Sequence, residues 1–596
     1  MADGWQTYPI EFRGGLITNL SPIQQGLNIP GSARQLRNFE PSVEGGYSRI
    51  LGFEKFDTNT LTGTGIIRGV FYFNGKVLAV RNNSNLGGGE GELYESVGGD
   101  VGWTRVSTDS IRFTTGTGKI RFAKFNFDGT ERVVMVDGTS SPIFYDGTTI
   151  TQPTLTSAQE GASHVAIFKD HIFLGKDTSI ISSGPLQYDS AAAWSVANGA
   201  IEIQFNDTIT GMEVFRDQLY IFCRTQINRV AGNTVGDFQR VPVTADIGCV
   251  EEDTIQEIGG DVIFMGPDGL RLLSGTDKIG DIGLGAVTKT IQAETTSFRN
   301  RNTSFSSVVL RNKSQYRILG YKESDPVSES KGIIGTQFAS QGGDDMAWAE
   351  TRGIRAYATF SAYEGTEEII LFANEDGYIY EMEKGVSFDG EDITATFYTP
   401  YLSINDPTLR KTVYILHSYI DPEGSFETDV TLDYDFNTTI RQDPIRLVND
   451  LASDQALAVY GDTTYATWEA DATANVNGAV SDSTSLVLDG GVGTIEVGQF
   501  VSGTGIIGTP IVVTVTDQNN IVLDRAQTLD DDTALSFSDH TTAQTSSIYG
   551  NAVRVKLRNQ VTGSGFVVSL EYTSTSSTRP FTLDALALEY ATESRR

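Results

Sequence analysis

Reactive side chains are scarce in this chain. Of 596 residues only two are cysteine and four are histidine, against 63 glycines, 31 phenylalanines and 23 tyrosines. Cys223 and Cys249 form neither a metal-spacing pattern nor the framework of a disulfide-rich secreted domain. Cys223 lies in LYIFCRT, an apolar run where a thiol behaves as a small hydrophobe. Among His164, His171, His417 and His540 no pair has zinc spacing with a third ligand in reach. His164 and His171 read as strand-end residues flanking one hairpin. Long apolar runs are also missing, and nothing approaches the ~18 residues that a membrane helix needs. Met1 to Tyr8 is polar and makes no signal peptide. The expectation is a soluble protein, made in a cytoplasm, with no membrane span. Positive charge is short as well: 44 Lys and Arg face 76 Asp and Glu, for a net charge of −32. A nucleic-acid reader needs a basic stripe to displace counterions, so that class is disfavoured. Adhesion to an anionic membrane is disfavoured for the same reason. Acidity is ordinary in soluble proteins. It also suits a conduit wall, where repelled phosphate lets a duplex slide.

What is present is strand and turn. A hydrophobic fraction of 39% and a charged fraction of 20% are ordinary for folded chains, and the length allows roughly two to four domains. Seven hairpins follow one another, turning at Asn74-Gly75, Asp128-Gly129, Lys169-Asp170, Arg216-Asp217, Gly259-Gly260, Asn312-Lys313 and Gly365. Several are followed by a further turn and strand, at Asp137-Gly138, Asp268-Gly269 and Asp376-Gly377. A unit of three or four short strands repeating every ~40 to 50 residues predicts propeller blades. Two β-sandwiches with regular hairpins are the competing arrangement. After Thr394 the pattern changes. ATFYTPYLSINDPTLRKTVYILHSYID, FETDVTLDYDF, NAVRVKLRNQ, GFVVSLEYTS and FTLDALALEY alternate in polarity, as an antiparallel sandwich with one solvated face does. Between TYATWEA and SSIYGN, Val476 to Ser538 is Val/Thr/Gly-rich and almost free of aromatics, which suits a small β module spliced into a loop.

The fold class expected is therefore all-β: a β-propeller of about seven blades, with six to eight possible, plus an antiparallel β-sandwich platform carrying an inserted β module. The boundaries expected are an N-terminal arm at 1–60 joining propeller and platform, the propeller at 61–393, the platform at 394–470 and 546–596, and the module at 471–545.

Motifs for chemistry are weak. GTGIIG, with Gly503, Gly505 and Gly508, is followed by the strand-like TPIVVTVT and not by a helix that would hold a pyrophosphate. TGTGK, Thr115 to Lys119, lacks P-loop spacing. Asn126, Asp128 and Glu131 in NFDGTE read as a turn more readily than as a calcium loop. No GxSxG, HExxH or Cys/His nucleophile signature occurs. Carboxylate pairs for glycoside cleavage need not be close in sequence, and 76 acidic residues offer no choice between them. No catalytic, cofactor or metal residue is assigned, and the chain is expected not to be an enzyme.

One stretch stands apart. Gly14 to Phe53 is too rich in Gly, Pro and Asn for a helix and too polar for core strands, yet it is not low-complexity. Its Gly14-Gly15-Leu16, Asn19, Pro22, Pro30-Gly31-Ser32-Ala33, Asn38-Phe39, Gly45-Gly46-Tyr47 and Gly52-Phe53 resemble the N-terminal segment of short-tailed phage tail proteins, the tail nozzle or tail tubular protein B-like family. The blade-like repeat fits that family, and PTLRKTVY, Pro407 to Tyr414, resembles the strand entry into its platform sandwich. The resemblance runs through the chain in order, apart from the insert. It implies a virion structural protein: a homohexameric tube below the adaptor ring of tail tubular A-like subunits, with tail fibres as possible neighbours. Double-stranded DNA would be held back and then conducted without sequence-specific binding. An extended arm can bridge subunits, with Arg34, Arg37, Arg49, Arg410 and Lys411 as candidate inter-subunit contacts. The same arm can also wrap its own subunit. Two alternatives stand beside the nozzle: a propeller-type polysaccharide hydrolase or lyase, and a receptor-binding tail component whose contact is the inserted module.

Overall fold

The computed structural model describes residues 5–592, apart from 84–88, 115, 156–158, 275–285, 341–342, 425, 437–443, 450–471, 508–509 and 539–554. His540, Gly508, TYATWEA, SSIYGN and the expected module boundaries at 470 and 546 lie outside the described residues. The protein is all-β, with 54% of residues in strands and 7% in helices.

All seven expected hairpins form. The tight turns Asn74-Gly75, Lys169-Asp170, Arg216-Asp217 and Gly259-Gly260 hold positive φ at both central residues. That backbone matches the right-handed twist of the strands they join. The hairpins grow into successive antiparallel sheets over 64–105, 121–151, 164–204, 209–244 and 256–272. A sixth begins with four strands over 304–352. In the seventh, three strands over 358–382 are completed by Phe53–Lys55 from the N-terminal segment.

Neighbouring sheets pack on one another, all but one pair through apolar side chains. Leu78 and Val80 meet Val133 and Met135. Val134 and Phe144 meet Ile172 and Leu174. Phe173 and Ile180 meet Leu219 and Ile221, and Phe222 meets Val262 and Phe264. The fifth and sixth are joined by hydrogen bonds from Tyr316 to the Thr254 carbonyl (2.8 Å) and from Gln256 Nε2 to the Ser307 carbonyl (3.1 Å). Val308 and Leu319 meet Ile370 and Phe372, and Leu371 of the seventh sheet meets Val77 and Ala79 of the first. The order of packing thus returns to its start.

The N-terminal stretch departs from expectation. A helix, Pro22–Asn28, forms inside it. Ser21 and Gln24 exchange the reciprocal bonds of a capping box, and Pro22 occupies the first turn, where its missing N–H is not needed. Gln35–Arg37, Phe39–Pro41, Tyr47–Arg49 and Phe53–Lys55 are strands, and Leu36, Phe39 and Tyr47 are buried. Strands this short carry no readable alternation, which is why composition pointed elsewhere. Gln35–Arg37 lies antiparallel to Ile393–Tyr398 (Leu36 opposite Phe397) and parallel to Gly343–Arg352 (Arg37 opposite Glu350). It thereby fuses the sixth sheet to the C-terminal strands as one nine-stranded sheet.

That sheet ends in Ile393–Tyr398, Val568–Ser576, Phe426–Tyr434 and Ile445–Asn449. A seven-stranded sheet joins Lys411–Pro422, Val555–Gln560, Ser564–Gly565 and Phe581–Thr592 to Gln6–Glu11, Phe39–Pro41 and Tyr47–Arg49. The two meet through an aromatic cluster, with Phe12 4.8 Å and Tyr47 4.9 Å from Phe397, and Phe397 stacked on Tyr572 at 5.8 Å. A second compact unit comprises Pro422–Phe426 and Asn449–Arg554. It carries a six-stranded sheet and its own core of Val476, Leu486, Leu488, Val512, Ile521, Leu535 and Phe537. Gly503 of its GTGIIG ends strand Phe500–Gly503, and strand Val512–Asp517 begins within TPIVVTVT.

Candidate functional site

The first strands of the sheets, among them Arg121–Asn126, His164–Phe168, Gln256–Ile258 and Ser304–Leu310, begin around one charged cluster. Arg121 grips Asp253 with both arms of its guanidinium, Nε to Oδ1 at 2.8 Å and Nη2 to Oδ2 at 2.9 Å. It also donates to Glu252 and to the Ser163 carbonyl, each at 2.8 Å. Lys119 Nζ stands 3.2 Å from Asp253, donates to the Phe305 carbonyl and lies 5.1 Å from the centre of the Tyr357 ring. Tyr357 donates to the Thr117 carbonyl, and Arg68 donates to the Gly118 and Thr114 carbonyls, both at 2.8 Å. The stretch 117–121, which leads into the second sheet, is therefore bonded to Arg68 of the first sheet, to Phe305 of the sixth and to the segments that enter the third, fifth and seventh.

Burial opposes ionisation of Asp253, but Arg121 and Lys119 outweigh it and hold the carboxyl well below the usual range. Burial, with Arg121 beside it, pushes His164 down to about 3, so its ring is neutral. The expected strand-end histidine is thus a wall of a cleft that Arg121, Thr210, Glu213 and Asp253 also line. Burial, and then the Glu257 carboxylate, push Glu213 up to about 7. Chemically the cluster is a brace: its cations are taken up by Asp253, Glu252 and backbone carbonyls. Glu213 is the group able to exchange a proton near neutrality.

A second buried cluster pins the N-terminal segment. Glu40 meets Arg317 at 2.8 Å and Lys313 at 2.6 Å, and Glu383 meets the same two cations at 2.8 and 2.5 Å. Burial raises the cost of ionising Glu383, yet Arg317 and Lys313 bring its carboxyl down to about 2. Next to it Asn38, at φ 53, donates to the Thr394 carbonyl and accepts from Thr351 and the Arg352 N–H.

The residues singled out in the sequence are engaged within the chain. Arg34 pairs with Glu571 at 3.0 Å and lies against the rings of Tyr398 and Tyr401. Arg37 stands 3.6 Å from Glu350. Arg49 is buried and donates to the Thr578 and Ser576 carbonyls, and burial lowers its pKa to about 10. Lys411, also buried, donates to the Ser403, Asp406 and Phe566 carbonyls. Arg410 is exposed and donates to Ser564 Oγ and O. In NFDGTE, Asn126 and Asp128 accept turn N–H bonds, and Glu131 pairs with Lys124. Both cysteines are free and buried, and burial pushes Cys223 up to about 12 and Cys249 up to about 11. Among the described residues no group of three or more His, Cys, Asp or Glu is placed to hold a metal ion. No helix among them is long and apolar enough to cross a membrane.

No family model matches the sequence, and no curated protein does. Among solved structures the chain is similar to Sqt1 of Saccharomyces cerevisiae, at 12% identity and a TM-score of 0.33, over 56% of this chain and 100% of that one. A likeness at that level carries no argument about function.

Proposed function

We propose that the seven packed sheets are the blades of a β-propeller, that the two C-terminal sheets form a sandwich platform, and that the chain is a structural subunit of a short-tailed phage tail nozzle. In this role it assembles as a homohexamer beneath an adaptor ring in the virion and retains, then conducts, double-stranded DNA. The observation that carries the proposal is the course of the N-terminal segment. The segment that resembles the nozzle family supplies, between its matched Ala33 and Asn38, the strand Gln35–Arg37 joining the sixth sheet to the C-terminal sheets and, starting at its matched Phe53, the strand completing the seventh. The net charge of −32 favours a wall that does not hold phosphate. The brace from Lys119 and Arg121 to Asp253 ties sheets far apart in packing order, which favours a DNA path between copies over one through a single chain. The test is composition and retention. Purified virions should contain the chain in multiple copies, and particles lacking it should lose packaged DNA; absence from virions refutes the proposal. One observation favours a polysaccharide hydrolase instead, the Glu213 carboxyl poised near neutrality in a cleft. Release of reducing ends from host polysaccharide, lost in Glu213→Gln, would support that alternative.

A further inference from the structure

A cavity of about 200 Å³ opens between the first and second sheets. It lies where the Asn74-Gly75 turn meets the turn that joins Ile143–Tyr145 to Ile150–Thr151. It shares no lining residue with the cleft beside Arg121 and Glu213. Its deepest walls are aromatic, because Phe73 and Tyr145 are buried. The rest of the lining is polar, and it comes from both turns.

Glu95 organises one side. Its Oε1 accepts from Lys76 Nζ at 2.7 Å, and its Oε2 accepts from the Tyr145 hydroxyl at 2.8 Å. Burial and then Glu95 push the Tyr145 phenol up, so it stays a donor. Both oxygens of Glu95 are engaged, and Lys76 keeps two further N–H donors. On the other side Asp146 uses Oδ1 to accept from the Thr148 and Thr149 N–H groups, at 2.8 and 2.6 Å. Its Oδ2, the Asn74 amide and the Thr148 hydroxyl make no hydrogen bond among the described residues. Gly147, at φ 91, keeps the space between the two turns clear. A Cβ there would lie 3.6 Å from Phe73 Cε1 and 3.8 Å from Asn74 Nδ2.

We infer that this cavity binds a single neutral polyhydroxylated ring, a pyranose. Lys76 and Asn74 supply donors, Asp146 and Asn74 supply acceptors, and the Thr148 hydroxyl supplies either. The charges select against ionic ligands. An anion would meet the Glu95 and Asp146 carboxylates beside the one ammonium, and a cation would meet Lys76. A sugar hydroxyl donates and accepts at once, which is what the mixed lining asks for. The C–H faces of the ring suit Phe73 and Tyr145. The volume falls below the ~300 Å³ at which drug-sized sites begin, so one ring fits and an extended chain does not. A free sugar and the end of a longer glycan share this chemistry. The site depends on neither the ring assembly nor the Glu213 cleft.

Saturation-transfer difference NMR on the full chain tests it, with the methyl α-glycosides of glucose, galactose and mannose as probes. At least one should bind saturably with a Kd of about 1 mM, the strength a few neutral hydrogen bonds give. Asn74→Gly, which tolerates the positive φ of the turn, and Lys76→Met should each weaken it by about 2- to 10-fold. Thr148→Tyr, at an exposed position, should fill the mouth and abolish it. Far-UV circular dichroism and the melting temperature report folding, and Asp146→Asn, which keeps the Oδ1 acceptor, replaces any variant that misfolds. Retention on immobilised polysaccharide, released by the free glycoside, would identify a glycan end as the source; binding of the glycoside without such retention would identify a free sugar. No saturable binding of any probe overturns the inference. So does binding that all the variants leave unchanged, which places the sugar elsewhere. Inorganic phosphate or methylammonium binding more tightly than every glycoside, and lost in Thr148→Tyr, overturns the neutral ring as occupant.

Discussion

Glu40→Gln perturbs the fold at the point where the N-terminal segment is fastened. Glu40, Arg317, Lys313 and Glu383 form a neutral quartet of two carboxylates and two cations, with the Glu40 and Arg317 side chains 3% and 2% exposed. The substitution keeps the shape and leaves two cations against one carboxylate. Removing one partner of a buried pair costs about 3–5 kcal/mol. Arg317 retains Glu383 at 2.8 Å and Gln315 Oε1 at 3.0 Å, so the lower end, about 3 kcal/mol, is expected. At roughly 2 cal/mol/K of unfolding entropy per residue, a cooperative unit of this size loses about 3 °C in melting temperature. Differential scanning calorimetry reads that shift. Limited proteolysis should show earlier cleavage between residues 30 and 60, because the freed element is the N-terminal segment. Glu40→Gln/Lys313→Met restores neutrality and should be more stable than Glu40→Gln alone. A single variant melting within about half a degree of wild type would refute the claim that the quartet holds the segment.

Three further outcomes are expected. Glu213, raised in the folded chain from 4.5 to about 7, binds a proton there that the unfolded chain releases. Its favourable contribution is full below pH 4.5 and is lost as pH rises through 7, so Glu213→Gln should match wild type at pH 4.5 and exceed it by about 2 kcal/mol at pH 8, discounted for solvent that still reaches the group; denaturant titrations at the two pH values check this. Asp253→Asn leaves Arg121 and Lys119 facing only Glu252 and carbonyls, and should cost about 3 kcal/mol in the same titrations, with Lys119→Met recovering part of it. Gly26→Ala drives a Cβ into the Tyr401 carbonyl and should unseat the helix, seen as faster amide exchange over 22–28, although alanine is the better helix former.

The hairpins were legible because they are local. Asn74-Gly75 and Gly259-Gly260 announce tight turns, and apolar runs on either side, such as VFYF before Asn74 and VLAV after Lys76, announce the strands. The N-terminal segment was not legible, because its order comes from partners hundreds of residues away. Leu36 opposite Phe397 and Phe53 opposite Met382 leave no periodic trace in three-residue strands. Its helix did leave one, the Ser21-Pro22 start with Gln24 at the third position, but Gly26 and Asn28 masked it in composition. The charged brace was hidden for a similar reason. Arg121 and Asp253 are 132 positions apart, and nothing in either neighbourhood says they meet. The five basic residues picked from the sequence are all engaged in the fold, yet only Arg410 is exposed with no carboxylate partner among the described residues.

The ring itself is the central claim, and electron-microscopy class averages of the purified chain, alone and mixed with tail components, test it most directly. Six-fold rings with a central hole wide enough for a duplex are predicted. Isolated lobed particles in both samples would contradict the account.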